Sequence, residues 1–599
     1  MKQPDLHLWP IGNCQVSALV DCDGRFIWGC GPRVDGDPAF SSLLRGDGAY
    51  SENGHGYWSI ELEDCVSIRQ EYRRNTPILV QRHIDANGAE IEIIDFCPRL
   101  RRLNRIYRPV AFVRIVRPIS GSPRIRVRLR PSRNYGQAEA PRTFGSNHIR
   151  YALAEQSLRL TTDAPVSLIA EELPFRLEAP VHFFLGPDEP FADAIGSALE
   201  NMLADTTAEW QLWVRGLATP IEWQEAVIRA AITLKLCQHE ETGAIVAALT
   251  TSIPEASNSG RNWDYRFCWI RDAYYTVQAL NRLGALDVLE GYLGYLRNIV
   301  DNAKGGDIQP LYGVLGETQL HERIGEHLPG YRGMGPVRIG NQAYTQQQND
   351  AYGQIVLSNV QAFFDNRLLR PAGPDDFAPL ERVGEQAWRK HDQPDAGLWE
   401  LRTRKDVHTY SAAMCWAACD RLANAAAAIG LPERENFWRN RAAQIRGKVE
   451  TAAWRPEHNS MSAIFGDHVL DASLLQLLDM QFLDPMDPRS LGTINAVEVG
   501  LRRGSHMLRY SAEDDFGLPE TAFNVCTFWL IEALHATGRT ADARALFEEM
   551  LSRRTVAGLM SEDIDPESGE LWGNYPQTYS LVGMINCAVL LSKPWSTFR

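Results

Sequence analysis

Over the first 190 residues, apolar positions alternate with polar ones or gather in short β-branched runs, at 26–30, 58–62, 78–84, 90–96, 110–116, 125–129, 158–161 and 181–185. Turn formers separate them, as at Asp23-Gly24, Asn87-Gly88 and Gly186-Pro187. A period of two between such turns is the pattern of strands buried on one face. Helical spacing is nearly absent, so residues 1–190 are predicted to form an antiparallel β-sandwich. The period then changes. Residues 191–214 are amphipathic and predict a connecting helix within a linker at 191–219. From 220 to 599, apolar positions three and four apart predict helices at 223–236, 273–283, 286–302, 350–366, 409–428, 433–453, 471–480, 488–501, 521–537, 541–551 and 580–591. So many helices, joined by some long loops rich in Gly, Pro and aromatics, predict helical hairpins arranged in a ring. Loops longer than a connection needs are where function is expected.

The length of 599 residues supports more than one core. A net charge of -14 argues against nucleic acid or an anionic membrane as partner. Eleven scattered cysteines, an odd number without a CxxC pair or zinc spacing, suit free thiols in a reducing compartment. The start of the chain lacks the apolar core of a signal peptide, and no apolar run approaches a membrane span, so a cytoplasmic location is expected. No cofactor and no metal are expected. The acidic run Glu513-Asp514-Asp515 lacks the spacing of a calcium loop, and His321, His327 and His408 have no paired ligand spacing. A homo-oligomer is compatible with this composition, which does not set the copy number.

The densest chemistry lies at 260–276, where Trp263, Tyr265, Phe267 and Trp269 interleave with Arg261, Asp264, Arg266, Arg271 and Asp272. Flat rings beside bidentate charges suit a polyhydroxylated ring, whose C–H face stacks while its hydroxyls take donors and acceptors. A buried aromatic corner with structural ion pairs would give the same composition. Four more loops share this character: 330–350 with Arg338, 395–402 with Arg402, 510–523, and 560–580. Trp399 precedes Glu400, and an apolar ring beside a carboxyl disfavours its charged form, which suits a general acid. Glu562 lies in a loop with Ser561, Asp563 and Asp565, a polar setting for an ionised base. Taken singly, either glutamate could be an ordinary surface carboxylate.

The stretch 260–284, with its core Trp269-Ile270-Arg271-Asp272, resembles the signature of glycoside hydrolase family 15, the family of glucoamylases and bacterial trehalases. The resemblance continues in order through Ile11–Cys14, Pro32–Asp35, 234–255, 330–350, 397–402, 409–421, 471–478 and 562–586. It implies a β-sandwich followed by an (α/α)6 barrel at 220–599, and hydrolysis of an α-glucosidic bond with inversion. Glu400, in Gly-Leu-Trp-Glu, matches the family's general acid, and Glu562, in Ser-Glu-Asp, its general base. Arg271 and Asp272 match the pair that grips the terminal glucose, with Trp269 and Trp399 as pocket walls and Arg338 and Arg402 as further substrate contacts. Val34, Asn349, Tyr575 and Thr578 depart from the commoner family residues and bear on substrate preference. The leading expectation is an inverting, exo-acting hydrolase of small α-glucosides or α-gluco-oligosaccharides. The alternative is a trehalase; an inverting phosphorylase and a non-catalytic glycan-binding protein are more distant.

Overall fold

The computed structural model describes residues 5–46, 50–51, 53–303 and 306–598. Alternation in the first part resolves into two antiparallel sheets. One has the spatial order Trp9–Gly12, Ser17–Val20, Phe26–Gly31, Tyr57–Leu62, Arg124–Arg130, Phe175–Arg176, with Asp37–Phe40 paired to the third strand. The other runs Arg142–Phe144, His148–Ala152, Ser157–Thr162, Val181–Gly186, Phe112–Ser120, Glu90–Phe96, Leu79–Asp85, Cys65–Tyr72. Strand Arg124–Arg130 shows why the pattern is legible: Ile125, Val127 and Leu129 are buried, while the arginines between them reach the surface. In the core, Trp58 meets Phe26 and Phe183 edge to face, and Phe26 meets Phe112. A fully buried pair, Arg114 with Asp95 at 2.8 Å, is tolerated because the guanidinium also donates to the carbonyls of Trp58 and Gly24.

Helix Ile195–Arg215 lies along the eight-stranded sheet, burying Leu199 and Leu203 against Ile78, Ile94, Phe96, Val113 and Ile115. Its far end packs Trp210 and Val214 on Ile232 and Leu236 of the first barrel helix. One helix thereby serves both parts.

Six inner segments then close a ring: Ile270–Arg282, Asp350–Val360, Thr409–Ala428, the pair Ala472–Leu475 and Gln476–Asp479, Asn524–Ala536, and Thr578–Leu591, which packs back on the first. Around them stand Leu286–Ala303, Pro374–Lys390, Pro432–Ala453, Pro488–Leu501, Thr540–Ser552 and Gln224–Leu236. This is an (α/α)6 barrel. Composition separates the two rings. Thr409–Ala428 is buried along almost its whole length by small side chains such as Ala413, Cys415, Ala417 and Ala418. The outer Pro432–Ala453 buries only the stripe Trp438, Ala442, Ile445, Val449 and Ala453.

Two predicted helices change form. The expected helix at 471–480 is a 3-10 turn followed by one short α-turn, and that at 350–366 ends at Val360 and continues as a 3-10 turn. Helix Pro374–Lys390 was not predicted, because Pro374, Pro379 and a high charge mask its apolar stripe of Phe377, Leu380, Val383 and Ala387. Pro374 stands at the first helical position, where no N–H is needed, and the buried stripe outweighs the interior Pro379.

One continuous buried cluster contains Trp28 and Trp58 of the sheets together with Ala230, Tyr352 and Trp529 of the barrel. Trp28 Nε1 donates to the carbonyl of Leu249 at 2.8 Å, and the Tyr575 hydroxyl to that of Leu8 at 2.7 Å. The loops that precede the inner helices converge at one end of the barrel, around a pocket.

Candidate active site

The pocket is lined by residues from all five chemistry-bearing loops, among them Trp269, Arg271, Asp272, Trp399, Glu400, Arg402 and Glu562. Strand Cys268–Trp269 pairs with Leu311–Tyr312 and runs straight into helix Ile270–Arg282, so Arg271 and Asp272 fall in the first helical turn. An acid there faces the positive end of the helix dipole. Burial nevertheless dominates at Asp272: desolvation pushes its carboxyl up to about 7, against the opposing charge of Arg271. Its side chain takes no hydrogen bond from another side chain among the described residues, which leaves it open to a ligand in the pocket.

Glu400 closes a turn in which its backbone N–H donates to Gly397 O at 3.2 Å, and its own φ is 59°. A left-handed non-glycine residue costs of order 1–3 kcal/mol and persists only where the surroundings hold it. Here they do. Oε1 accepts from Trp269 Nε1 at 2.6 Å, Arg271 Nη2 at 3.1 Å and Gln348 Nε2 at 3.2 Å, and Gln346 donates to the backbone carbonyl at 3.0 Å. Oε2 has no partner among the described residues, and the side chain is 24% exposed. The sequence expectation that the ring of Trp399 covers this carboxyl is corrected. The Trp399 indole turns away, donates to Asp471 at 2.7 Å and packs against Tyr510, Phe523 and Trp529. The ring at Glu400 is that of Trp269, met through its N–H.

Glu562 departs further from expectation. Its loop is no polar surface loop: Ser561, Glu562 and Asp563 are all buried, in or beside a small three-stranded sheet with Ala522–Phe523 and Leu571–Trp572. Oε1 accepts from the Tyr265 hydroxyl at 2.7 Å, while Oε2 has no protein partner among the described residues. Carboxyl oxygens of Glu255, Glu562 and Asp563 lie within 4.8 Å of one another. Burial, then the charges of Glu255 and Asp563, push Glu562 well above the usual carboxylate range, opposed by Arg509 and the Tyr265 hydrogen bond. Asp563 is pushed up to about 8, mainly by burial. This geometry is also that of a three-carboxylate cation site, but the positive charge facing it is protein-borne. Arg509 Nη2 lies 2.8 Å from Glu255 and 3.2 Å from Asp563.

Arg271 holds the deep end, binding Gln348 at 2.7 Å, Asp350 at 3.1 Å and the Tyr579 hydroxyl at 3.1 Å besides Glu400. Arg402 lines the outer end, its guanidinium 4.3 Å from the Trp263 ring and bonded to Glu322. Arg338 is not on the wall. It lies 5.0 Å from the same ring and also binds Glu322, so it reaches the pocket only through Trp263. His408 is structural, bonded to Asp395 at 2.7 Å. Sequence reasoning missed Tyr265, Glu255, Arg509 and Gln348 as site residues. Tyr265 and Gln348 lay within loops already singled out, whereas nothing local marks Glu255 or Arg509.

Comparison with known proteins adds to this geometry. The family model described as Glycosyl hydrolases family 15 matches residues 223–589, and the model Trehalase-like, N-terminal matches residues 7–179. A trehalase of Thermoplasma volcanium is 31% identical over 97% of this chain and 93% of its own. One of Mycobacterium tuberculosis is 30% identical over 97% of this chain and 88% of its own. Among solved structures, a bacterial glucoamylase complexed with acarbose aligns over 99% of this chain and 95% of its own, with a TM-score of 0.69 at 13% identity. At that identity the likeness speaks for the fold alone.

Proposed function

The chain belongs to glycosyl hydrolase family 15, and on that premise we propose that it is an inverting trehalase, cleaving α,α-trehalose to one α-glucose and one β-glucose. The observation that carries this reading is the pairing, in one pocket, of two carboxyls with contrasting free oxygens. Glu400 Oε2 is open on a part-exposed side chain, and Glu562 Oε2 is unpartnered and buried. The end-to-end likeness to proteins named trehalase favours trehalose over the broader class of α-glucosides.

In this reading one glucose occupies the deep end, where Asp272 accepts its hydroxyls and Arg271 fixes Glu400. Glu400 protonates the bridging oxygen from Oε2. Glu562 takes a proton from a water that attacks C1 on the opposite face, and inverting enzymes of this kind hold the two carboxyls roughly 6.5–9.5 Å apart. The attacked ring leaves as β-glucose and the other as α-glucose. Glu562 must first lose its own proton, and the raised proton affinity that delays this makes it the stronger base afterwards. Trp269, Trp399 and Trp263 supply ring faces, and Arg402 a donor, around the sugars.

The test is proton NMR of trehalose hydrolysis in its first minutes. Equal α- and β-glucose is expected from the wild type, with turnover lost in Glu400→Gln and in Glu562→Gln. A burst of α-glucose alone would mean retention and would sink the proposal, as would strict dependence on phosphate with glucose 1-phosphate as product.

A further inference from the structure

One wall of the pocket is formed by a strap that no part of the proposed chemistry uses. Residues 511–520 leave the barrel at Tyr510, whose backbone bridges to Asp471, and return at Thr521, whose hydroxyl donates to Glu255 O at 2.9 Å. At the strap's tip a tight turn pairs Asp514 with Gly517. The two neighbouring aspartates of this turn face opposite sides of the mouth. Asp514 accepts from Arg261 Nη2 at 2.7 Å and from the Tyr510 hydroxyl, and the same guanidinium donates to Gly517 O at 2.8 Å. Asp515 accepts from the backbone N–H of Arg402 at 2.6 Å and from the Thr403 hydroxyl. The strap is thus pinned on one side to the loop that carries Tyr265 and Trp269, and on the other to the residues just past Glu400. Phe516 completes the closure with an edge contact to Trp263, centroids 5.2 Å apart.

We propose that Asp514 and Asp515 are specificity-determining residues, and that the strap they fasten ends the pocket after two sugar rings. The deep end is blocked by Arg271, Asp272 and Tyr579 on the inner helices. The strap's Asp514, Asp515 and Phe516 line the pocket together with the Trp263 ring, which has Arg402 against its face. A third ring joined to the second would have to pass between Asp515 and Arg402, where a backbone hydrogen bond now runs. Both fastenings matter for different reasons. The Arg261–Asp514 pair is almost buried, with 6% of each side chain exposed, so it resists competition from water. The Asp515 contact is exposed and gives way first.

The inference rests on reading the pocket as a disaccharide hydrolase, and the test separates the two. Wild type, Asp515→Ala and the double variant Asp514→Ala/Asp515→Ala are assayed on two matched pairs: trehalose with 4-O-α-glucosyl-trehalose, and maltose with maltotriose. The readout is the ratio of kcat/KM for the trisaccharide to that for its own disaccharide, which cancels any general loss from a perturbed site. A ratio that rises at least tenfold in the double variant, with a smaller rise in Asp515→Ala, is expected. An unchanged ratio in both pairs would overturn the strap's role. A preference for maltose over trehalose in the wild type would instead overturn the trehalase reading while leaving the ratio test intact. The single variant removes only a surface contact, so its melting temperature should stay near that of the wild type and keep the comparison interpretable.

Discussion

Glu562 owes its proton affinity to its neighbours as well as to burial, and each neighbour can be removed. Glu255 raises it and Arg509 lowers it. Replacing Glu255 by Gln should let Glu562 ionise at lower pH, moving the acidic limb of kcat/KM toward lower pH. Arg509→Met should move that limb the other way; pH–rate profiles on trehalose decide, and shifts of the same sign in both would contradict this account. Gly573 is the steric partner of the same carboxyl. With φ 74°, a Cβ there would stand 2.6 Å from Glu562 Cβ and 2.8 Å from Oε2. Gly573→Ala should cost activity on the order of 100-fold through displacement of the base, read as a fall in kcat with the secondary structure intact by circular dichroism. Asp272 offers a stability signature. Its folded pKa, pushed up to about 7, lies above the ordinary value of 3.8, so its contribution to stability is fully present below 3.8 and lost as pH rises through 7. Asp272→Asn should therefore raise the melting temperature relative to wild type at pH 8 far more than at pH 4, while impairing turnover; an equal difference at both would refute the assignment. Glu400 and Glu562 stood out through motifs that resemble the family, and the structure places both on the pocket wall. Their hydrogen-bond partners did not stand out, since Tyr265 and Glu562 are 297 positions apart.

The inner and outer helices of the barrel make opposite demands on small residues. Gly353 lies on inner helix Asp350–Val360, where a Cβ would come 2.4 Å from the Met414 carbonyl oxygen of the next inner helix. Gly447, on outer helix Pro432–Ala453, would meet nothing within 4 Å. Gly353→Ala should destabilise by about 1–3 kcal/mol through a backbone clash. Gly447→Ala should stabilise by about 0.5–1 kcal/mol, because alanine loses less freedom on folding. Thermal melts of the two variants should move in opposite directions. Element prediction worked where one face alone is buried, as along Arg124–Arg130. It missed Pro374–Lys390, whose prolines argue locally for a loop, and Cys65–Tyr72, an edge strand of which every residue keeps some exposure.

At the scale of the molecule, the sandwich holds the site loop in place. Arg266, fully buried between its two aromatic neighbours in the motif, donates to Asp264, to Gly36 O at 2.8 Å and to the Tyr135 hydroxyl at 3.3 Å. Asp264 in turn accepts from the backbone N–H of Gly340 at 3.2 Å. Gly36 and Tyr135 lie in turns between strands of the N-terminal part, so the segment bearing Tyr265 and Trp269 is clamped to that part. Arg266→Met leaves Asp264 as an unpaired buried charge, a loss of about 3–5 kcal/mol. The variant should melt earlier and turn over more slowly at temperatures where it is still folded. Because one buried cluster runs through both parts, calorimetry of the wild type should give a single transition, and two well-separated transitions would contradict a shared core.

The order of periods along the chain determined a β part followed by a helical part, because a period of two or three to four records which face each element buries. Local motifs marked the loops that gather around the pocket, because rings and bidentate charges are rarely gathered without a ligand or a core to serve. Only the tertiary structure decided the electrostatics. It placed Glu255 and Arg509 against Glu562, turned the Trp399 ring from Glu400 to Asp471, and moved Arg338 behind Trp263. Those contacts join residues distant in the chain, and proton affinity follows from burial and charge in space, which no sequence window contains.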